Sequence, residues 1–116
     1  MAEKAIAAAT AMRNAIRIAK NCNVKIDLGT DSAVIPHSTS AHEFTLMVEW
    51  GGLTPMESIF AGTMSAAKLL GWDKNIGSLE PGKWADIVAV PGDPLADIHR
   101  MESPVFVMKN GSVYKQ

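Results

Sequence analysis

The sequence predicts an α/β chain whose helices come first and whose strands gather at the end. Three observations carry that expectation. Ile6, Ala9, Met12, Ile16 and Ala19 recur at three- and four-residue steps, the apolar stripe of an amphipathic helix. Residues 24–28 (Val-Lys-Ile-Asp-Leu) alternate and stop at Gly29, which reads as a strand. Beyond Trp72, Gly77, Pro81, Gly82, Pro91, Gly92 and Pro94 punctuate short apolar runs, the pattern of a β-rich segment.

In chain order, the first helix spans fifteen to twenty residues, with Arg13, Asn14, Arg17 and Lys20 off its stripe, and Asn21-Cys22-Asn23 ends it. The strand follows, and residues 33–40, with Pro36 and a Ser38-Thr39-Ser40 run, read as a loop. Ser40 and Glu43 stand at capping-box spacing, so a helix is expected over 41–50, ended by Gly51-Gly52. Thr54-Pro55-Met56-Glu57 is a stronger start: an N-cap hydroxyl, a proline at the first helical position and a second box glutamate. Met56, Ile59, Phe60, Thr63, Ala67 and Leu70 form the expected buried stripe of that helix, and Gly71 stops it. Residues 87–90 (Ile-Val-Ala-Val) read as a strand. Residues 105–114 read as a hairpin about Asn110-Gly111, the pair that best tolerates two positive φ angles.

Composition narrows the partners. Of 116 residues 47% are apolar and 20% charged, and the formal net charge is −1. That balance argues against nucleic acid or an anionic membrane as partner. No run reaches the roughly 18 apolar residues of a membrane span, and the alanine-rich N-terminus, broken by Arg13, Asn14 and Arg17, does not read as a secretory signal. The single Cys22 forms no internal disulfide, fits a reducing, cytoplasmic setting and reads as an inert structural thiol.

Asp31 carries the sharpest chemical signal, because it lies just past the C-terminal end of a strand that follows a helix. In α/β barrels that edge carries the catalytic groups. A carboxylate there ligates a divalent metal or accepts a proton from activated water; the plainer alternative is that it bends a strand-to-loop turn. His37 belongs to a loop overhanging the same edge. His42-Glu43 begins a His-Glu-x-x-His motif, but Leu46 stands where the second histidine belongs, and His99 beside Arg100 reads as surface. The stretch from Gly77 to Lys83 has the spacing of a phosphate loop, yet Trp84 replaces its hydroxyl residue and Pro81 removes an amide. A turn between strands is the better reading.

Taken in order, these pieces resemble the amidohydrolase superfamily. Lys25-Ile-Asp-Leu-Gly-Thr-Asp31-Ser32 is similar to its eighth barrel strand, and His42-Glu-Phe-Thr-Leu-Met-Val-Glu-Trp-Gly51-Gly-Leu-Thr-Pro55 to the segment that follows. Ala61-Gly-Thr63-Met-Ser-Ala-Ala67-Lys-Leu-Leu-Gly71 resembles the next helix. Ile76-Gly-Ser-Leu-Glu-Pro-Gly-Lys83-Trp-Ala-Asp86-Ile-Val88 resembles the most recognisable C-terminal stretch, with Gly92-Asp-Pro94 and Val107-Met-Lys-Asn-Gly111 completing the series. The wording is nearest the imidazolonepropionase-like and Xaa-Pro-dipeptidase-like branch.

The resemblance implies the C-terminal portion of a (β/α)8 barrel over residues 1–72, its last strand and helices. Over 73–116 it implies a β segment of the accessory composite sandwich. It implies metal-dependent hydrolysis of a carbon–nitrogen bond in an amide, peptide or cyclic amide, with a small-molecule substrate. Asp31 is then metal ligand and proton shuttle, and His37 a substrate-loop residue. The metal is divalent, zinc by expectation, and its other ligands come from earlier strands with no counterpart in this sequence. The isolated chain is therefore expected to bind metal weakly, to hydrolyse nothing measurably, and to self-associate through open edges as a homo-oligomer. A different class of role, a non-catalytic assembly module that completes a separately encoded barrel, fits the same residues.

Overall fold

The computed structural model describes residues 2–33 and 36–116; Met1, Val34 and Ile35 lie outside the described residues. Helix α1 spans Ala2–Asn21, α2 spans His42–Glu49 and α3 spans Pro55–Phe60. A π-helical turn, Ala61–Ser65, runs straight into α4, Ala66–Leu69. Three strands follow, β1 (Ile87–Ala89), β2 (Phe106–Lys109) and β3 (Ser112–Lys115), with a 3-10 turn at Ile98–Glu102 before β2.

The strongest local signals are realised. Thr54 accepts from the Glu57 amide at 3.2 Å while Glu57 accepts from the Thr54 amide at 2.7 Å, so α3 opens on a complete capping box with Pro55 at its first position. Gly71, at φ +71°, closes α4: the Trp72 amide reaches the Ala67 carbonyl and the Gly71 amide the Lys68 carbonyl, the paired bonds of a Schellman end. The hairpin turns on Asn110 at φ +47° and Gly111 at φ +80°. Asp86 latches it, accepting from the Asn110 amide at 2.7 Å and from Lys109 Nζ at 2.8 Å. The Lys109 contact, then the Asn110 amide, lowers the Asp86 pKa. The sheet is an antiparallel meander in the order β1-β2-β3, with a bulge between Val107 and Met108.

Other expectations are corrected. Residues 24–28 do not form a strand: among the described residues they pair with no other strand. The expected strand was an interior parallel one, and a strand exists only against a neighbour. The stretch hangs instead from the Leu28 amide, 3.2 Å from the Ala61 carbonyl of the π turn. Ile26 and Leu28 pack on the core of Met47, Leu53 and Ala61, where Ile16 of α1 also packs, while Val24 is exposed.

The helical stripes are also corrected. Ala67 is buried as expected and Ala9, Ile16, Ala19 and Ile59 are half-buried, but Ile6 and Met12 of α1 are exposed, as are Met56, Phe60, Thr63 and Leu70. The buried face from α3 onward is the small-residue one: Ser58, Ala61 and Ala67. Ser58 donates to the Phe44 carbonyl at 2.9 Å, and Gly62 lies so close to the Phe44 ring that a Cβ would stand 2.6 Å from it. Close backbone approach, rather than large side chains, joins α2 to the α3–π–α4 segment. Arg13 stacks over Trp50 at 3.7 Å, and Lys20 reaches both the Gly52 carbonyl at 2.7 Å and Glu57 at 2.9 Å, fastening the end of α1 to the same unit. Cys22, just after α1, is exposed and so is no part of a packed interior.

Candidate functional site

The Gly29-Thr30-Asp31-Ser32 turn begins where the core-bound Leu28 ends. Asp31 has φ +46°, a left-handed backbone that aspartate tolerates better than most side chains but that still costs on the order of 1 kcal/mol. Its carbonyl accepts from the Ala33 amide at 2.9 Å, tightening the turn. Asp31 is exposed, while Thr30 and Ser32 on either side are half-buried. Their hydroxyls meet across it at 2.6 Å, and Ser32 Oγ continues to Ser40 Oγ at 2.9 Å.

That second contact corrects the expected capping box at the start of α2. The helix begins at His42 with Ala41 as its N-cap and no side-chain cap; the Ser40 hydroxyl is committed to Ser32 instead. His37 opens a short 3-10 turn, His37–Thr39, within the predicted loop, and its side chain is exposed. Asp27 lies two residues before the glycine, and its Oδ1 is buried without a hydrogen-bond partner among the described residues.

No local sequence pattern points to a second polar cluster. Glu102, at the end of the 3-10 turn, accepts from the fully buried Thr45 hydroxyl and lies 3.0 Å from His42 Nδ1 and 3.5 Å from His99 Nδ1. His99 Nε2 lies 3.1 Å from Glu49, so surface-exposed His99 joins α2 to the segment before β2. The Thr45 hydroxyl, and next the His42 contact, hold the Glu102 pKa below the usual carboxylate range. A carboxylate whose folded pKa is depressed contributes its stability above the unfolded value, about pH 4.3, and loses it as pH falls through the folded value. Thr45→Val keeps the shape and removes the donor. Melting followed by circular dichroism from pH 6 to pH 2.5 is expected to show a smaller acid loss in this variant than in the parent. Parallel curves would mean that the hydroxyl does not set the Glu102 contribution.

The Gly77–Lys83 stretch is a turn, as expected, though it joins α4 to β1 rather than one strand to another. The Lys83 side chain, 9% exposed, folds back on it and donates to Ser78 Oγ at 2.7 Å, with the Ile76 carbonyl at 3.4 Å and Glu80 at 3.2 Å. An ammonium satisfied by its own loop in this way cradles no phosphate.

A core-bound segment thus ends in a strained acidic turn, followed by a helix, a helix with a π turn, and a three-stranded meander. The model of the Amidohydrolase family matches residues 2–114, and the chain belongs to that family. It is similar to ochratoxinase of Aspergillus niger, 38% identical over 96 residues that cover 79% of this chain and 20% of the relative. The crystal structure of that ochratoxinase superposes with a TM-score of 0.78 at 34% identity, covering 89% of this chain and 24% of the other. A Xaa-Pro dipeptidase crystallised with methionine in its active site superposes with a TM-score of 0.85 at 41% identity, over 90% of this chain and 25% of the other. The chain therefore spans about a fifth to a quarter of the length of these relatives.

Proposed function

We propose that this chain is the closing segment of a metal-dependent hydrolase acting on carbon–nitrogen bonds in an amide, peptide or cyclic amide. In this reading residues 1–72 complete a (β/α)8 barrel, and 73–116 supply strands to the accessory sandwich. The observation that carries it is the Asp31 turn, set at the end of a core-packed segment in a chain 41% identical to a Xaa-Pro dipeptidase over nine-tenths of its length.

The implied metal does not fit the described residues alone. A catalytic zinc takes about three protein ligands plus water, and among the described residues no group of three His, Cys, Asp or Glu side chains is arranged to hold a metal ion. Asp31 would contribute one ligand, and no more, to a metal held by the whole site, and such a metal would supply the acidification of water. The role of this chain is the proton: the Asp31 carboxylate accepts it from the attacking water and returns it to the leaving nitrogen, general base and then general acid. His37, exposed on the 3-10 turn, is the substrate-loop residue in this reading.

Two measurements test this. After dialysis, the isolated chain should retain far less than one equivalent of zinc and hydrolyse no dipeptide or N-acyl amide. A chimaera in which this chain replaces the matching quarter of the Xaa-Pro dipeptidase should hydrolyse an amide or dipeptide, and Asp31→Asn should lower its kcat by roughly 100- to 10,000-fold. A chimaera that keeps its full activity after Asp31→Asn would end the reading. The assembly-module alternative draws on the exposed apolar side chains Leu69, Leu70, Leu79 and Val88. It predicts stable complexes without turnover in any context.

A further inference from the structure

We propose that Ser40, through Ser32, is a positioning residue that holds Asp31 in its left-handed turn. The inference rests on Asp31 being the hydrolytic carboxylate, and it adds a residue outside the Gly-Thr-Asp motif. A non-glycine residue keeps a positive φ only where its surroundings over-determine it. Asp31 has no glycine's freedom, and Gly29, two residues earlier, is not the one that turns left-handed.

What over-determines Asp31 is the hydroxyl chain. Thr30 and Ser32, its immediate neighbours, are joined across it at 2.6 Å, a side-chain bridge whose span is the residue that bends. That bridge alone would be a local clip, free to swing with the loop. The Ser32–Ser40 contact at 2.9 Å ties it to a fixed point. Ser40 is held by its own backbone: its amide bonds to the His37 carbonyl at 3.2 Å, and its carbonyl accepts from the Glu43 amide at 3.3 Å, in the approach to α2. Helix α2 is in turn anchored by Met47 in the core and by buried Thr45. The line from rigid helix to acidic turn is therefore continuous, and chained hydroxyls polarise one another. The diversion of Ser40 from capping α2, a task its spacing suits, is what this arrangement explains.

The test compares the full chain with Ser40→Ala, Ser32→Ala and Ser40→Thr. The amide-to-α-proton coupling and the Cα shift of residue 31 report its φ by NMR. Asn23 at φ +54° and Asn110 at φ +47° serve as internal controls within the same sample. Ser40→Ala and Ser32→Ala are expected to move residue 31 away from left-handed values and leave both controls in place, while Ser40→Thr retains the parent values. If Ser40→Ala does not fold, Ser32→Ala gives the same reading. A residue 31 that stays left-handed in the folded alanine variants, or a threonine variant that fails to retain the turn, overturns the proposal.

In the dipeptidase chimaera, Ser40→Ala should lower kcat on the order of 10- to 100-fold with KM held, as a misplaced catalytic group does. Ser40→Thr should recover it. An active chimaera indifferent to Ser40→Ala removes the positioning role. An inactive chimaera whose residue 31 still responds in the NMR experiment removes the hydrolytic reading, and with it the catalytic meaning of the clip.

Discussion

Gly77→Ala is expected to be among the most damaging alanine substitutions in this chain, lowering stability by roughly 2–5 kcal/mol. Two effects add at that position. Gly77 sits at φ +92°, where a side chain costs roughly 1–2 kcal/mol. An added Cβ would also stand 2.8 Å from the Cβ of buried Ala67 and 3.2 Å from the Met64 backbone, and overpacking of that kind costs typically 1–3 kcal/mol. Neither neighbour can move cheaply, since Ala67 has no rotamer to change and the Met64 contact is with its Cα. Gly82 separates the two effects. It has nearly the same φ, +91°, but a Cβ there meets nothing within 4 Å. Gly82→Ala should thus show the conformational cost alone. At roughly 4 °C of Tm per kcal/mol, the two variants should melt several degrees apart when compared at one protein concentration. Equal melting temperatures would mean that the turn after α4 does not bear on the helix as tightly as the distances indicate.

The division between what sequence revealed and what it hid follows the range of the interactions. Thr54, Pro55 and Glu57 form a cap within four residues, Gly71 ends a helix it directly follows, and Asn110-Gly111 turns between strands it directly joins. Each is decided by neighbours in the chain, and each was legible. The buried face of the α3–π–α4 segment was not, because large apolar residues marked the wrong side. Phe60 and Leu70 face outward, while Ser58, Ala61 and Gly62 lie against the helix that carries Phe44 and Met47, where small size is what permits approach. The π turn at Ala61–Ser65 also breaks the 3.6-residue phase on which the stripe was counted.

The site divides along the same line. Asp31 was legible as an acid at the end of an alternating run. Its left-handed backbone and the hydroxyls that hold it were not, because Ser32 and Ser40 meet across an eight-residue loop whose Ser-Thr-Ser run reads only as a polar connection. Glu102 lies further still from its partners, 60 residues from His42 and 57 from Thr45, and no local pattern announces it. The 24–28 stretch shows the converse: Ile26 and Leu28 of the alternating run pack on the core, yet among the described residues no neighbouring strand makes the run a strand.

Self-association is the second large effect expected, and the exposed apolar residues motivate it. Phe60 is 45% exposed, Leu70 64%, Leu79 73% and Val88 58%, values more usual for charged side chains than for these. Four of the apolar residues along this surface, Ile59, Leu70, Leu79 and Val88, line one open groove of about 580 Å³ between the α3–π–α4 segment and β1. Scattered exposed leucines need no cover, but a contiguous apolar groove does. The sheet adds a second route, since β1 and β3 are both edges among the described residues, and an open edge pairs with other strands. Lys115 on β3 discourages pairing there, whereas β1 (Ile-Val-Ala) carries no charge, so β1 and the groove beside it are the expected contact. Light scattering over a concentration series should give a mass rising above 12.4 kDa toward a closed multiple of it. The double variant Leu70→Glu with Val88→Glu places like charges across the groove and should shift the series back toward the monomer, whereas Thr10→Glu on exposed α1 should not. A parent chain that stays at 12.4 kDa at every concentration, with a cooperative melt, would show that the fold closes on these few buried residues and that the groove is stable in water.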